Sequence, residues 1–172
     1  MSIANTDTGT EGGIFYSDND GSSWQIDTLN GSSPLLKMPV NSLLVTDNFV
    51  WAGVGDRDGR SSETGIRARV SLCGTSAWWE PSHSSDPLFA NLQASYITAL
   101  DGASTPGSAT TSAVVYVTTA RDVIKGEYVT GSCASGSPFD CWQFTDITPA
   151  TIYDDLSAVA VEPSDTDHVW VA

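Results

Sequence analysis

Two short acidic segments hold the residues of this chain best suited to chemistry. GDRDGRSSETG, at 55–65, gathers Asp56, Arg57, Asp58, Arg60 and Glu63. TDITPATIYDD, at 145–155, ends on Tyr153, Asp154 and Asp155. Glycoside hydrolysis needs two carboxylates across the scissile bond, one to protonate the leaving group and one to attack or to activate water. On that chemistry the candidate pair is Asp56 or Asp58 with Asp154 or Asp155. Arg57, Arg60, Trp79 and Tyr153 join them as candidate binding residues, the two aromatic rings being able to stack on a sugar face. The plainer expectation competes throughout: solvated turn acids with local ion pairs, and aromatic rings packed in a core.

A third cluster, SDNDGSSW from Ser17 to Trp24, sets carboxylates, an amide and hydroxyls before a tryptophan. DNDG and GDRDG have some of the look of acidic calcium loops, but neither has a bidentate acid downstream at the required spacing. Structural calcium is therefore the one metal left open, and no cofactor is expected. Three cysteines without CxxC spacing, with only His83 and His168, argue against zinc. Cys133 and Cys141 bracket CASGSPFDC, a loop short enough to close as a disulfide, which points to an oxidising compartment. Cys73 is left over as a buried thiol.

Composition narrows the partners. Asp and Glu number 21 against 7 Lys and Arg, for a net charge of −14. Nucleic-acid binding rests on a basic footprint, so no nucleic-acid partner is expected. An anionic membrane surface is disfavoured for the same reason. No run approaches the roughly 18–20 apolar residues of a membrane span, so no membrane insertion is expected. MSIANTDTGTEGG has no apolar stretch of the signal-peptide kind. The preference for Asp over Glu and Lys suits Asp-rich turns and an extracellular or cell-surface setting.

The elements that must position these residues read as strands. Helical periodicity is nearly absent, and SSDPLFANLQAS is the one stretch that tolerates a helical turn. Short runs rich in Val, Ile, Thr, Tyr and Trp alternate with Gly, Ser, Asp, Asn and Pro clusters, the pattern of an all-β chain. The runs repeat. SLLVTD, YITALD and SAVAVE each read as an apolar strand closing on a carboxylate, placing Asp47, Asp101 and Glu162 in one register with a turn role. FVWAGV, AVVYVTT and HVWVA follow, aligning Trp51, Tyr116 and Trp170. A third strand opens on glycine in GGIFYS, GIRARVS and GEYVTGS, and a fourth carries Trp24, Trp78 or Trp142.

Four-stranded units repeating around an axis are propeller blades. The fold expected is all-β, with β-propeller blades of four antiparallel strands and about three blade-equivalents in a single segment, 1–172. It would be a partial propeller: a half-blade at 12–28, blades at 41–80 and 95–146, and a half-blade at 156–172. Stacked hairpins or a sandwich are the alternative. A closed ring takes about four to eight blades, so further blades are expected on another segment or chain, or copies join head to tail. In the second case HVWVA of one copy would run into GGIFYS of another as a composite blade. Both cases leave sheet edges unpaired in an isolated chain.

With the repeat in place, YSDNDGSSW resembles the Asp-box of BNR-repeat β-propellers, Ser-x-Asp-x-Gly-x-Ser/Thr-Trp. Ser17, Gly21, Ser23 and Trp24 match, while Asn19 replaces the central Asp and Asp20 lies beside it. LSAVAVEPSDTDHVWVA looks like the first two strands of the same repeat. SLCGTSAW keeps Ser71 and Trp78 but loses the acid and the glycine, and CASGSPFDCW is lengthened. The resemblance implies that the Ser17–Trp24 turn is structural and lies on the outer rim, remote from the ligand face. Its bonds are expected to run from Asn19 or Asp20 to N–H groups two residues on, with Ser17 and Ser23 bridging the turn and Trp24 buried. The resemblance also implies that loops 55–65 and 118–127 within blades, and 25–41, 79–93 and 145–155 between blades, converge on the ligand face.

Such propellers include sialidases, xyloglucan-degrading hydrolases, sortilin-like receptors and photosystem assembly factors. A sialidase needs a three-arginine cluster, and none of the five arginines here lies in that context. The expectation is a non-catalytic β-propeller module, extracellular or surface-exposed, that binds protein or carbohydrate or builds an assembly, homo-oligomeric or completed by further blades. The alternative is a fragment of a xyloglucanase-like glycoside hydrolase.

Overall fold

The computed structural model describes residues 2–3, 13–26, 39–46, 49–57, 64–70, 78, 87–104, 113–129, 141–152 and 155–172. These form four antiparallel sheets built from strands consecutive in sequence. The first sheet orders β1 (Ser2–Ile3), β2 (Gly13–Tyr16) and β3 (Gln25–Ile26). The second orders β4 (Val40–Val45), β5 (Phe49–Val54) and β6 (Gly65–Val70). The third is a complete four-stranded meander of β7 (Ala99–Ser104), β8 (Ala113–Thr118), β9 (Val123–Tyr128) and β10 (Trp142–Asp146). The fourth pairs β11 (Val159–Glu162) with β12 (Asp165–Val171). The chain is thus all-β and antiparallel, with one helix, α1 (Pro87–Gln93), among the described residues.

Alternation along each strand explains how the sheets stack. In β5, Phe49 and Trp51 enter the core shared with the third sheet, while Ala52 and Val54 enter the core shared with the first. In β8, Val115 and Val117 face the second sheet, and Val114 and Tyr116 face the fourth. Both strands are therefore apolar on both faces, which is why FVWAGV and AVVYV read as continuous apolar runs. Trp142 fills the middle of the largest core. Its ring meets Trp51 edge-on at 4.7 Å between centroids, Phe49 at 5.5 Å and Tyr128 at 5.6 Å. Such tilted aromatic pairs contribute about 0.5–1.5 kcal/mol each beyond the area they bury. The buried indole N–H groups of Trp51 and Trp142 lack hydrogen-bond partners, a cost that this packing offsets.

The sheets are also joined through their first strands. β1 lies beside β4, β4 beside β7, and β7 beside β11. Ser42 Oγ accepts from the Leu100 N–H at 2.9 Å, and Asp101 Oδ2 accepts from the Val161 N–H at 2.8 Å. A Cβ on Gly53 would sit 2.5 Å from Ile97 Cγ2, so only glycine lets the second and third sheets approach this closely.

Four expectations change. β1, pairing Ser2 with Ile14 and Ile3 with Gly13, adds a strand to the unit read as 12–28. α1 runs for seven residues, longer than a single turn, because Leu88 and Leu92 find the core of the second and third sheets. The run YITAL is displaced: Tyr96, Ile97 and Thr98 precede β7, which continues through Asp101 to Ser104. Asp101 consequently sits mid-strand opposite Tyr116, whereas Glu162 ends β11 opposite Asp165 at an irregular step. The two acids share neither register nor turn role, and Asp47 lies outside the described residues. Of the fourth strand read in the second unit, Trp78 is described, half-buried against the core shared with the first sheet.

Candidate functional site

One end of the stack collects the turns that follow β5 and β8 and the segments that lead into β7 and β11. Backbone bonds hold them together. Ile97 N–H donates to Val54 O at 3.4 Å, Gly55 N–H to Pro39 O at 3.1 Å, and Leu156 N–H to Ala120 O at 3.1 Å. The Asn41 amide donates to Gly55 O and Ile97 O, at 2.7 and 3.2 Å. In the turn after β8, Thr119 Oγ1 accepts from the N–H groups of Arg121 and Asp122 and donates to the Asp122 carboxylate at 2.9 Å.

On this end the Arg57 guanidinium donates to Asp155 Oδ1 at 3.0 Å, joining residues from the two acidic segments that the sequence singles out. Both side chains are over two-thirds exposed, at 72% and 70%. Asp155 adopts a left-handed backbone, φ 61°, a conformation that aspartate tolerates better than most residues. Asp56, the residue before Arg57, is half-buried. The structure thus pairs Asp155 with an arginine. Asp58, Arg60, Trp79, Tyr153 and Asp154 lie outside the described residues.

A cavity of about 90 Å³ opens near the same end, lined by Leu88, Leu92, Ser95, Thr119, Asp122 and Asp146 among others. At roughly 30 Å³ per water it holds about three waters, far below the several hundred Å³ of a small-molecule pocket. No group of three or more His, Cys, Asp or Glu positioned to hold a metal occurs among the described residues.

The Ser17–Trp24 turn is built differently from its expectation. Ser17 Oγ accepts from the N–H groups of Asn19 and Gly21, at 3.3 and 2.8 Å. Asn19 is the hub: Oδ1 accepts from Ser17 Oγ and from the Ser23 N–H, while Nδ2 donates to Ser23 Oγ at 2.8 Å. The two serines therefore bridge through Asn19, and the asparagine reaches four residues on instead of two. Asp20 and Gly21 take φ 53° and 82°, the left-handed pair that turns the chain. Asp18 and Asp20 are exposed. Trp24, expected to be buried, is 52% exposed.

Two polar features escape a reading of the sequence. Arg67 is 6% exposed in β6, donating to Thr64 O, Ile66 O and Gln93 Oε1. GIRARV alternates like a half-solvated strand, so nothing local shows that α1 covers its arginine. The second feature joins the third and fourth sheets. Tyr116 OH donates to Thr166 O at 2.6 Å, and Lys125 bridges Glu127 at 2.9 Å and Asp167 at 3.4 Å. Burial pushes the Tyr116 phenol above its ordinary range, with Lys125 opposing in part. Burial also pulls the Lys125 ammonium down, but the hydrogen bond to Glu127 and the other negative neighbours outweigh it, leaving its pKa raised.

Cys141 is fully buried and disulfide-bonded; Cys133, its expected partner, lies outside the described residues. No helix among the described residues is long and apolar enough to cross a membrane. Comparison of the chain with models of known families, with curated proteins and with solved structures finds no match.

Proposed function

We propose that this chain is a non-catalytic module of β-propeller blades, related to the BNR/Asp-box repeat propellers. It binds protein or glycan through its Arg57–Asp155 end, or serves as a structural unit in an assembly. One observation carries the reading: β5 and β8 are buried on both faces, each filling one core with the preceding sheet and another with the following one. Stacked, connected meanders whose first strands lie side by side are what consecutive blades require. The absence of any matching family model leaves this repeat logic as its support. The Cys141 disulfide supports an oxidising, extracellular setting.

The alternative, a glycoside hydrolase fragment, keeps one supporting observation: the Arg57–Asp155 contact joins the two segments that carry the candidate acids. A polysaccharide panel including xyloglucan, read by released reducing ends, separates the two. The expected result is no release by the native chain. Release that disappears in Asp56→Asn or Asp155→Asn would overturn the non-catalytic reading and assign the acids.

A further inference from the structure

The chain builds, between its second and third sheets, an interface whose two halves it displays again at its opposite ends. Inside the chain, Trp51 on the second strand of one sheet meets Trp142 at the start of the last strand of the next, edge-on at 4.7 Å. Both rings are essentially inaccessible to solvent. The contact uses the second strand on one side and the third and fourth strands on the other, since Tyr128 of β9 joins Trp142.

Trp170 is the counterpart of Trp51. It pairs with Ala160 across β11 and β12, and the residues adjoining that pair, Val169 beside Trp170 and Val159 and Val161 beside Ala160, pack on the third sheet. Trp170 therefore faces away from that sheet, and it is 58% exposed. Trp24 is the counterpart of Trp142. Gln25 pairs with Tyr16, so alternation places Trp24 on the Phe15 side of β2, opposite the Ile14 side that packs on the second sheet. It is 52% exposed. Two large rings are thus uncovered at the two positions whose internal equivalents bury each other.

We propose that the Trp170 face of the fourth sheet receives the Trp24 face of the first sheet of a second copy of this chain, in the arrangement Trp51 and Trp142 take internally. The proposal rests on the stacked-blade reading above. It also chooses between two ways of joining copies. A composite blade would need the edge of β2 to be free for β12, and β1 already occupies that edge. Docking of one sheet face on another needs no such edge. The contact is heterologous, so each copy keeps one free half, and association continues to a ring or an open chain of copies.

Sedimentation velocity on the native chain over a wide concentration range tests this, at physiological and at high salt. High salt matters because chains of net charge −14 repel one another until screened. The native chain should self-associate more as concentration and salt rise. Trp24→Glu and Trp170→Glu should each weaken association by about tenfold or more, as expected for a central aromatic contact. Mixing the two variants should restore association but stop it at dimers, because each retains the half the other has lost. Circular dichroism and the exposure of the remaining tryptophans establish that both variants fold. A native chain that stays monomeric at high salt overturns the proposal and gives the two faces to partners of other sequence. Loss confined to Trp170→Glu overturns it in favour of a symmetric contact. Neither outcome touches the internal stack, which a destabilised Trp51→Ala variant reports independently.

Discussion

Asp101 links two sheets with one side chain. Its Oδ1 accepts from its own neighbour, Gly102 N–H, and its Oδ2 from Val161 N–H on β11, both at 2.8 Å. Asp101→Ala leaves a partly buried N–H without its acceptor and should destabilise the chain by about 1–3 kcal/mol in urea unfolding. Asp101→Asn keeps a carbonyl acceptor and should recover most of that. Faster amide exchange at Val161 in the alanine variant would locate the loss. Arg57→Ala, by contrast, breaks an exposed pair and should change stability by less than about 1 kcal/mol. Any large effect of that substitution on partner binding would then belong to the surface itself. At this scale the sequence is a poor guide to roles. Asp101 reads as a strand-ending turn acid because YITAL looks like the strand, and only pairing with β8 shows where the strand lies. Asn19 is the reverse case: residue type and spacing already identify a turn-maker, and the structure alters only which N–H it reaches. Asn19→Ala should cost about 1 kcal/mol, measured by the same unfolding assay.

The strands themselves are largely legible, because β-branched and aromatic runs between turn residues leave little alternative. Ser2–Ile3 is not: two residues carry no periodicity, and β1 exists because β2 offers it an edge. Arg67 escapes for a similar reason, its burial being imposed by a helix many residues away. The fourth sheet depends on the third through Tyr116 and Lys125, and this dependence carries a pH signature. Folding raises both groups above their ordinary values of 10.0 and 10.5, so the folded state holds their protons more tightly than the unfolded chain does. Their contribution is complete below those values and is lost as pH rises through the raised ones. Thermal melts should therefore show a stability loss above about pH 10. Tyr116→Phe removes the hydroxyl that donates to Thr166 O, should cost about 1 kcal/mol near neutrality, and should shrink the alkaline loss to the Lys125 part. An unchanged alkaline profile in that variant would assign the loss to other groups.

Across the whole molecule, the largest single dependence is on the Trp51–Trp142 core. Trp51→Ala should cost about 3–5 kcal/mol, as for large-to-small changes in other cores, and should cooperatively loosen both sheets that meet there. Every sheet is finished by strands that follow one another along the chain, and each sheet meets the one before it. The entropic penalty of closing a loop grows only slowly with its length, so the polypeptide can complete each meander as it is synthesised. Burial of each face nevertheless waits for translation of the next sheet. Trp51 emerges long before Trp142, the ring that closes over it, so throughout that interval the nascent chain presents an uncovered aromatic face to the ribosome exit and to chaperones.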